Sequence, residues 1–493
     1  MVSMYHSTRS LNNECTAKEA IKNGIAPDGG LYVTDSLGNK QIDLFKAVEW
    51  DYQTLAENVL TVLLDDYTDI EMKNCVKAAY GDTFDTKEVA PLVKVGDDYI
   101  LELFRGPTSA FKDVALQMLP QLMSVATQES DERIMILAAT SGDTGKAALA
   151  GFADTPGLGI TVFFPHNGTS EIQRLQMTTQ EGKNVAVCAV EGNFDDTQST
   201  VKAIFADEEL NARLAEKGIV LSSANSINIG RLAPQVVYYF YAYVQLLRDH
   251  AIAMGDRVDF CVPTGNFGDV LAGYYASLLG LPVRKFIVAS NKNNILTDFL
   301  TTGVYDRNRP FYKTTSPSMD ILISSNLERL LYYVSDRDTA TITRLMEDLK
   351  TKGRYEVSTL LLDLVQRKFE CGWANDEEAA AAIKSVFEET GYVMDPHTAV
   401  AAHVSSQIEK VDGVPRIILS TASPFKFCHD VCDALGIDAP EDAFVCMDVL
   451  EEKSGVKAPA PLANLKTADE RFGDVITKED MPAYVETKCG EIL

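Results

Sequence analysis

Val258-Asp259-Phe260-Cys261-Val262 runs directly into Pro263-Thr264-Gly265-Asn266-Phe267-Gly268-Asp269. The first five residues form an apolar run of strand length, the next seven a glycine-bearing turn, and a helical pattern starts at Asp269. Glycines let backbone amides converge on one point, and a helix start adds positive potential. Such a turn suits an anion held without any basic side chain. It also reads as a tight strand-to-helix connection with no ligand.

The same rhythm recurs on both sides. Tyr99–Phe104 leads through Arg105–Ser109 into a helix from about Ala110, and Ile134–Thr140 through Ser141–Gly145 into a helix from Lys146. Ile160–Phe164 precedes a loop ending at Ser170, an N-cap for helix Glu171–Gln180. Val185–Val190 precedes a long helical stretch, Thr197–Lys217, and Ile219–Ser222 leads through Ser223–Asn228 into helix Ile229–Leu247. Arg416–Ser420 is followed by Thr421-Ala422-Ser423-Pro424 and another helix. Strands alternating with helices predict parallel α/β construction, in which ligands sit beyond the carboxyl ends of the strands. The chemistry is therefore expected in these loops.

Three stretches break the rhythm. Residues 1–95 are mixed, with a turn at Pro27-Asp28-Gly29-Gly30 and amphipathic segments over Ile42–Leu64. Residues 295–395 read as a helical insertion with polar loops at Asn291–Asn294 and Arg307–Pro317 and an acidic stretch over Asp376–Thr390. Residues 441–493 have the Pro and Lys/Glu content of a surface extension.

At 493 residues the chain calls for two or three domains. Its net charge of −26 opposes binding to nucleic acid or anionic lipid, so a phosphorylated ligand must be met in a local pocket. No apolar run of about 18 residues predicts a membrane span. The opening MVSMYHSTRS lacks the pattern of a secretory signal, which makes the cytoplasm the expected location. Nine scattered cysteines without a Cys-x-x-Cys pair are expected to be reduced thiols, neither a disulfide framework nor a zinc site. Cys428-His429 reads as structural, because adjacent helical side chains diverge. Six histidines include no HExxH spacing, so no metal centre is expected.

Within the loops, Lys112 lies in Gly106-Pro107-Thr108-Ser109-Ala110-Phe111-Lys112-Asp113, near a helix start. The positive end of a helix disfavours an ammonium and lowers the amine pKa, which suits a Schiff-base lysine, although most lysines are merely solvated. Ala139–Lys146 ends in Gly-Lys but lacks the P-loop's first glycine (Thr140) and its final hydroxyl residue (Ala147), which excludes nucleotide hydrolysis. Ser141, Gly142, Asp143, Thr144 and Gly145 remain suited to a substrate carboxylate or phosphate. Arg231, ending Ser223–Arg231, fits either an anionic ligand or an acidic side chain. Thr421 fits either a hydrogen bond to a ring nitrogen or a capping role.

Taken in order, GPTSAFKD, ATSGDTG, SANSINIGR, PTGNFGD and STASPFKF resemble the threonine synthase family. The N-terminal STR (7–9), Gly24–Leu31 and Met394–Val400 also resemble it, so the likeness spans about residues 5–435. The sequence departs from that family at Lys146 and at Ser423-Pro424-Phe425, where small residues and His-Pro-Ala are more usual. The resemblance implies an α/β, fold type II, pyridoxal 5'-phosphate enzyme with two open parallel-sheet, three-layer domains. It implies an N-terminal domain (1–95), a large cofactor domain (96–130 and 258–440, insertion about 295–395), a smaller domain (131–257) and a C-terminal extension (441–493).

By the same resemblance, Lys112 forms the Schiff base, Gly265, Asn266, Phe267, Gly268 and Asp269 hold the cofactor phosphate, and Thr421 approaches the pyridine nitrogen. Ser141, Gly142, Asp143, Thr144 and Gly145 hold substrate, joined by Asn225, Ser226, Asn228 and Arg231. The implied reaction converts O-phospho-L-homoserine and water to L-threonine and phosphate, by loss of phosphate at Cγ and addition of water at Cβ. A phospho-lyase or serine/threonine dehydratase of the same fold is the alternative enzyme, and a sensor of phosphorylated metabolites the alternative without catalysis. Monomer and homodimer are left open.

Overall fold

The computed structural model describes residues 2–128, 130, 132–140 and 142–493. Two separate sheets hold the strands that the apolar runs predict. The first runs Phe369–Trp373, Val283–Ser290, Val258–Pro263, Arg416–Ser420, Asp98–Glu102, Leu92–Val95. All neighbours in it are parallel except the last two, which form an antiparallel hairpin. The second runs Val475–Ile476, Val185–Val190, Leu158–Pro165, Arg133–Ala139, Ile219–Ser222 and is parallel throughout. Strands such as Val258–Pro263 and Leu158–Pro165 are buried at every position, as helix-covered parallel sheets require.

Helix Ile229–Arg248 is the longest in the fold at 20 residues, and all but a few of its side chains are buried. It packs on helices Lys112–Thr127, Gly268–Leu278 and Tyr52–Leu63. Its Pro234 lies in the second turn, where it has no N–H to offer the Gly230 carbonyl.

Functional loops leave neighbouring strands of each sheet. Val258–Pro263, Arg416–Ser420 and Asp98–Glu102 are adjacent, so Gly265–Asp269, Thr421 and Lys112 emerge side by side at one edge of the first sheet. Arg133–Ala139 and Ile219–Ser222 are adjacent in the second, which puts Gly142–Gly145 beside Ser223–Arg231.

The structure corrects the expected elements in four places. The helical stretch Thr197–Lys217 is two helices, Phe194–Ala206 and Glu208–Ala215, because the Asp207 side chain accepts from the Leu210 amide and caps a new start. Strand Val283–Ser290 is not in the predicted rhythm, since its Arg284 and Lys285 interrupt the apolar run. The 295–395 insertion is not purely helical. It contributes the edge strand Phe369–Trp373 and an antiparallel ribbon of Val304–Asp306 with Arg354–Glu356. Finally, the tail expected on the surface returns to the second sheet: Val475–Ile476 pairs with Ala189–Val190, and helix Met481–Ile492 buries Met481, Val485 and Cys489.

The N-terminal segment forms a three-stranded antiparallel sheet, Ser10–Cys15, Tyr5–Ser7, Tyr32–Val33. It is tied to the insertion by Thr8 and Arg9, which both donate to the buried Glu328 carboxylate, at 2.5 and 2.8–2.9 Å. No helix among the described residues is long and apolar enough to cross a membrane.

Candidate active site

The lysine loop is built by its own residues. The Asp113 carboxylate accepts from the Thr108 amide at 2.8 Å and the Thr108 hydroxyl at 2.6 Å, folding the loop back on the helix that starts at Lys112. Gly106 has to be glycine, because a Cβ there would lie 2.5 Å from Asp113. Ser109 takes φ of +57°, and the loop is then zipped to the Thr421 loop: Phe111 N donates to Thr421 O at 2.9 Å, and Ser423 N to Ser109 O at 3.1 Å. Lys112 and Thr421 are thereby held as neighbours by main-chain bonds.

Lys112 Nζ donates to Ser318 Oγ at 3.2 Å. Burial brings the amine down to about 8; Asp143 opposes this, while the positive charges of Arg231 and Lys426 add to it. Lys426, fully buried, lies 2.6 Å from Asp143 Oδ1 and donates to Thr108 O at 3.0 Å. Burial alone would raise Asp143, but Lys426 and then Lys112 outweigh it and hold the carboxyl well below its usual range. Desolvation also lowers Lys146 to about 8. Arg231 is 4% exposed, donates through Nη1 to Ala224 O at 3.0 Å, and has no acceptor for its Nε among the described residues. In a protein of net charge −26, Lys426, Lys112 and Arg231 bring positive charge together at one buried place, which the overall field cannot supply.

The glycine turn is shaped from the insertion. Gly265 faces Ser318 so closely that a Cβ would sit 2.6 Å from the Ser318 carbonyl. Ser324 Oγ donates to Gly265 O at 2.8 Å, and the Asn326 amide to Asn266 O at 3.1 Å. Phe267 adopts the left-handed region (φ +60°) with its ring buried near Phe369, so it serves the turn through its backbone. The first backbone bond into the following helix is from Leu271 N to Phe267 O, which leaves the amides of the preceding turn available to an anion. Asp269 turns the other way: its carboxylate accepts from Tyr238 and Tyr239 at 2.6 and 2.9 Å, and burial raises it to about 6.

Several other sequence candidates also serve the framework. Asn228 is engaged at both ends, by Ile21 O and the Gly230 amide, each at 2.8 Å. Ser226 offers its carbonyl to Asn326 at 3.1 Å, and Asn225 is exposed. Gly142 and Gly145 both donate their amides to Thr140 Oγ1, at 3.0 and 3.1 Å, which closes the turn on which Asp143 and Thr144 sit. Ser141 lies outside the described residues.

Five residues that sequence reasoning passed over complete the site: Ser318, Asn326, Arg329, His397 and Lys426. Ser318 N donates to His397 Nε2 at 3.2 Å, which requires the ring proton on Nδ1; that nitrogen lies 2.6 Å from Asp395. Asp395 also accepts from the His397 and Thr398 amides and the Thr398 hydroxyl. Arg329, fully buried, donates to Tyr32 O, Asn326 Oδ1 and Ile227 O at 3.0, 2.6 and 2.7 Å, which links the N-terminal sheet to the glycine turn. The signal for His397 was present in Asp395-Pro396-His397, where an N-cap acid precedes a helix-starting proline. Lys426 stood inside the STASPFKF motif but was given no role there, because that role is set by a carboxylate that follows a strand of the other sheet.

Fold and site together define a class, the pyridoxal-phosphate enzymes with the α/β architecture of fold type II. Residues 97–415 match the family described as pyridoxal-phosphate dependent enzyme. Residues 4–80 match the threonine synthase N terminus and 398–485 the threonine synthase C-terminal family. Threonine synthase of Pseudomonas aeruginosa is 39% identical over 476 residues, covering 95% of this chain and 94% of that protein. The crystal structure of PLP-bound threonine synthase from Brucella melitensis superposes with a TM-score of 0.89 at 37% identity and covers 99% of both chains. Yeast threonine synthase gives 0.89 at 34% identity, covering 99% of this chain and 98% of that one. Human threonine synthase-like 1 is 41% identical over 435 residues, covering 85% of this chain, which spans 58% of that protein's length. The chain belongs to the threonine synthase family.

The residues fit the cofactor. Lys112 is a desolvated amine lowered to about 8, the Gly265–Gly268 turn has free first-turn amides and no room for a side chain at Gly265, and Thr421 is bonded to the lysine loop.

Proposed function

We propose that this protein converts O-phospho-L-homoserine and water to L-threonine and inorganic phosphate. The carrying observation is the Lys112 amine, lowered to about 8 near Arg231 and Lys426, and held by Ser318 beside an open helix-start amide turn. Lys112 would bind the cofactor, Gly265–Asp269 would receive its phosphate through backbone amides, and Thr421 would meet its ring with a neutral hydroxyl. When bound, pyridoxal phosphate supplies an electron sink for a carbanion at the substrate's Cα.

The chain's own residues then handle protons and charge. Lys112, with a pKa near the working pH, takes the Cα proton and can return it. Arg231 and Lys146 attract the substrate phosphate dianion and stabilise it as it leaves Cγ, as preorganised cations do in a desolvated site. The Gly142–Gly145 turn, with Asn225, would line the substrate side. Ser318 orients the Lys112 amine between these tasks. The free thiols accord with a reducing compartment, so the reading places the enzyme in the cytoplasm.

The test is incubation of the cofactor-loaded protein with O-phospho-L-homoserine, with threonine, phosphate and 2-oxobutyrate assayed together. Threonine and phosphate in equal amounts are expected. Phosphate with 2-oxobutyrate and no threonine would select the lyase chemistry instead.

A further inference from the structure

Beyond the Lys112 cleft, one cluster of chemically competent side chains is unused. Cys428, His429 and Cys446 each place a ligand atom within 4.8 Å of the others, the single such group found among the described residues. Cys432 lies outside that group, but its Sγ is 3.8 Å from Cys446 Sγ. We propose that Cys428, His429, Cys432 and Cys446 form a structural binding site for a thiophilic divalent cation, zinc by the chemistry of the ligands.

Two helices assemble the set. Cys428 and Cys432 are one turn apart on Cys428–Leu435 and so share a face, and Cys446 comes from Ala443–Ser454. Cys428 and His429 were expected to diverge as neighbours on a helix, yet their ligand atoms lie 3.9 Å apart, and Cys446 arrives from another helix, which spacing along the chain does not reveal.

The imidazole distinguishes a metal site from packed thiols. His429 Nε2 lies 2.9 Å from Pro440 O and 3.1 Å from Glu441 O. Carbonyls only accept, so Nε2 carries the proton and Nδ1 keeps its lone pair; Nδ1 lies 3.9 Å from Cys428 Sγ. An imidazole with its far nitrogen tied to a backbone carbonyl is the arrangement that fixes tautomer and aim in metal-ligating histidines. A disulfide between Cys432 and Cys446 would make no use of it.

Two of the six ligand–ligand edges are already close to those of a tetrahedral ion. Metal–sulfur bonds of about 2.3 Å and metal–nitrogen bonds of about 2.0 Å give ligand–ligand edges of about 3.8 Å and about 3.6 Å. The Cys432–Cys446 separation already has the first value, Cys428–His429 needs a contraction of a few tenths of an ångström, and Cys432 must swing in toward the other two ligands, which do not both lie within 4.8 Å of it. Three soft sulfurs and one imidazole select zinc over magnesium or calcium. All three thiols are buried. With all four positions filled by protein, the ion would clamp the helix that follows the Thr421–Lys426 loop to the C-terminal arm.

The experiment is metal analysis of the full-length protein purified in reducing buffer without added metal, followed by exchange with cobalt(II). About one zinc per chain is expected, and cobalt should give the intense visible bands and thiolate charge-transfer absorption of a tetrahedral sulfur-rich site. His429→Gln should weaken zinc binding at least tenfold and alter the cobalt spectrum. Cys446→Ser should remove both, and cofactor absorbance at Lys112 should be retained in each variant. Protein that contains no zinc and takes up cobalt without thiolate absorption overturns the proposal, as does a Cys432–Cys446 disulfide found by peptide mapping. Wild-type metal content and cobalt spectrum need no variant, so a misfolded Cys446→Ser leaves the test intact.

Discussion

Lys426 Nζ lies 2.6 Å from Asp143 Oδ1, with both side chains sealed from water. The lysine follows a strand of the first sheet and the aspartate follows a strand of the second, so this ion pair spans the cleft that holds Lys112. Removing one member strands a buried charge, which costs about 3–5 kcal/mol, whereas removing both is far cheaper. Asp143→Asn and Lys426→Met should each lower the midpoint of urea unfolding, and the double variant should recover much of the loss. Additive losses in the double-mutant cycle would show that the two groups do not interact.

The same pair tunes the lysine between them. Cofactor capture by the apoenzyme needs unprotonated Lys112, so its rate should rise with pH and level off above about 8. Asp143 raises that amine and Lys426 lowers it, so Asp143→Asn should move the midpoint to lower pH and Lys426→Met to higher pH. Stopped-flow absorbance over a pH series reads the midpoint; shifts in the opposite sense would contradict the assignment.

Lys112→Ala should lower turnover by about a thousandfold or more, the range expected when a residue serves as both nucleophile and base. Circular dichroism should be unchanged, and borohydride should no longer attach the cofactor covalently. Retained turnover would remove Lys112 from the chemistry.

His397 is a positioning residue, acting through Ser318, whose amide donates to its Nε2 and whose hydroxyl accepts from Lys112. His397→Phe should cut kcat/KM by about a hundredfold, as displacement of a reacting group by about 1 Å does. The absorption spectrum of bound cofactor should shift as the amine loses its anchor. A fall in stability alone, with kcat/KM and spectrum unchanged, would assign the histidine to packing.

Gly265→Ala sets a Cβ 2.6 Å from the Ser318 carbonyl, a backbone group that cannot turn aside. The displaced turn should weaken cofactor affinity by about tenfold or more, or about 1.4 kcal/mol. Fluorescence titration of the apoenzyme measures it, and unchanged affinity would place the phosphate elsewhere.

Legibility tracked locality. Lys112, the Gly265–Gly268 turn and Thr421 were readable because each motif sits where an apolar strand becomes a helix, and those transitions are written in neighbouring residues. Asp269, Phe267 and Asn228 were recognisable as members of motifs, but their side chains hold the framework: against Tyr238 and Tyr239, against Phe369, and across to Ile21. Ser318 was missed because an insertion that reads as polar loops and acidic helix carries no local sign of facing the lysine, and His397, just past that insertion, was seen only as part of a motif that resembles the family. The tail misread as surface has short apolar residues at helical spacing, Met481, Val485 and Cys489, whose burial depends on a sheet formed some 300 residues earlier.

What the amino-acid order determined by itself was the alternation of strand and helix, the polar turns at the strand ends, and which residue types those turns present. These follow from periodicity and from backbone preferences that act over a few residues. Tertiary structure alone decided which turns meet: Ser318 at Lys112, Lys426 at Asp143, Cys446 at Cys428 and His429. Distances between segments remote in sequence are set by strand order and by packing across layers, and no short window of the chain contains that information.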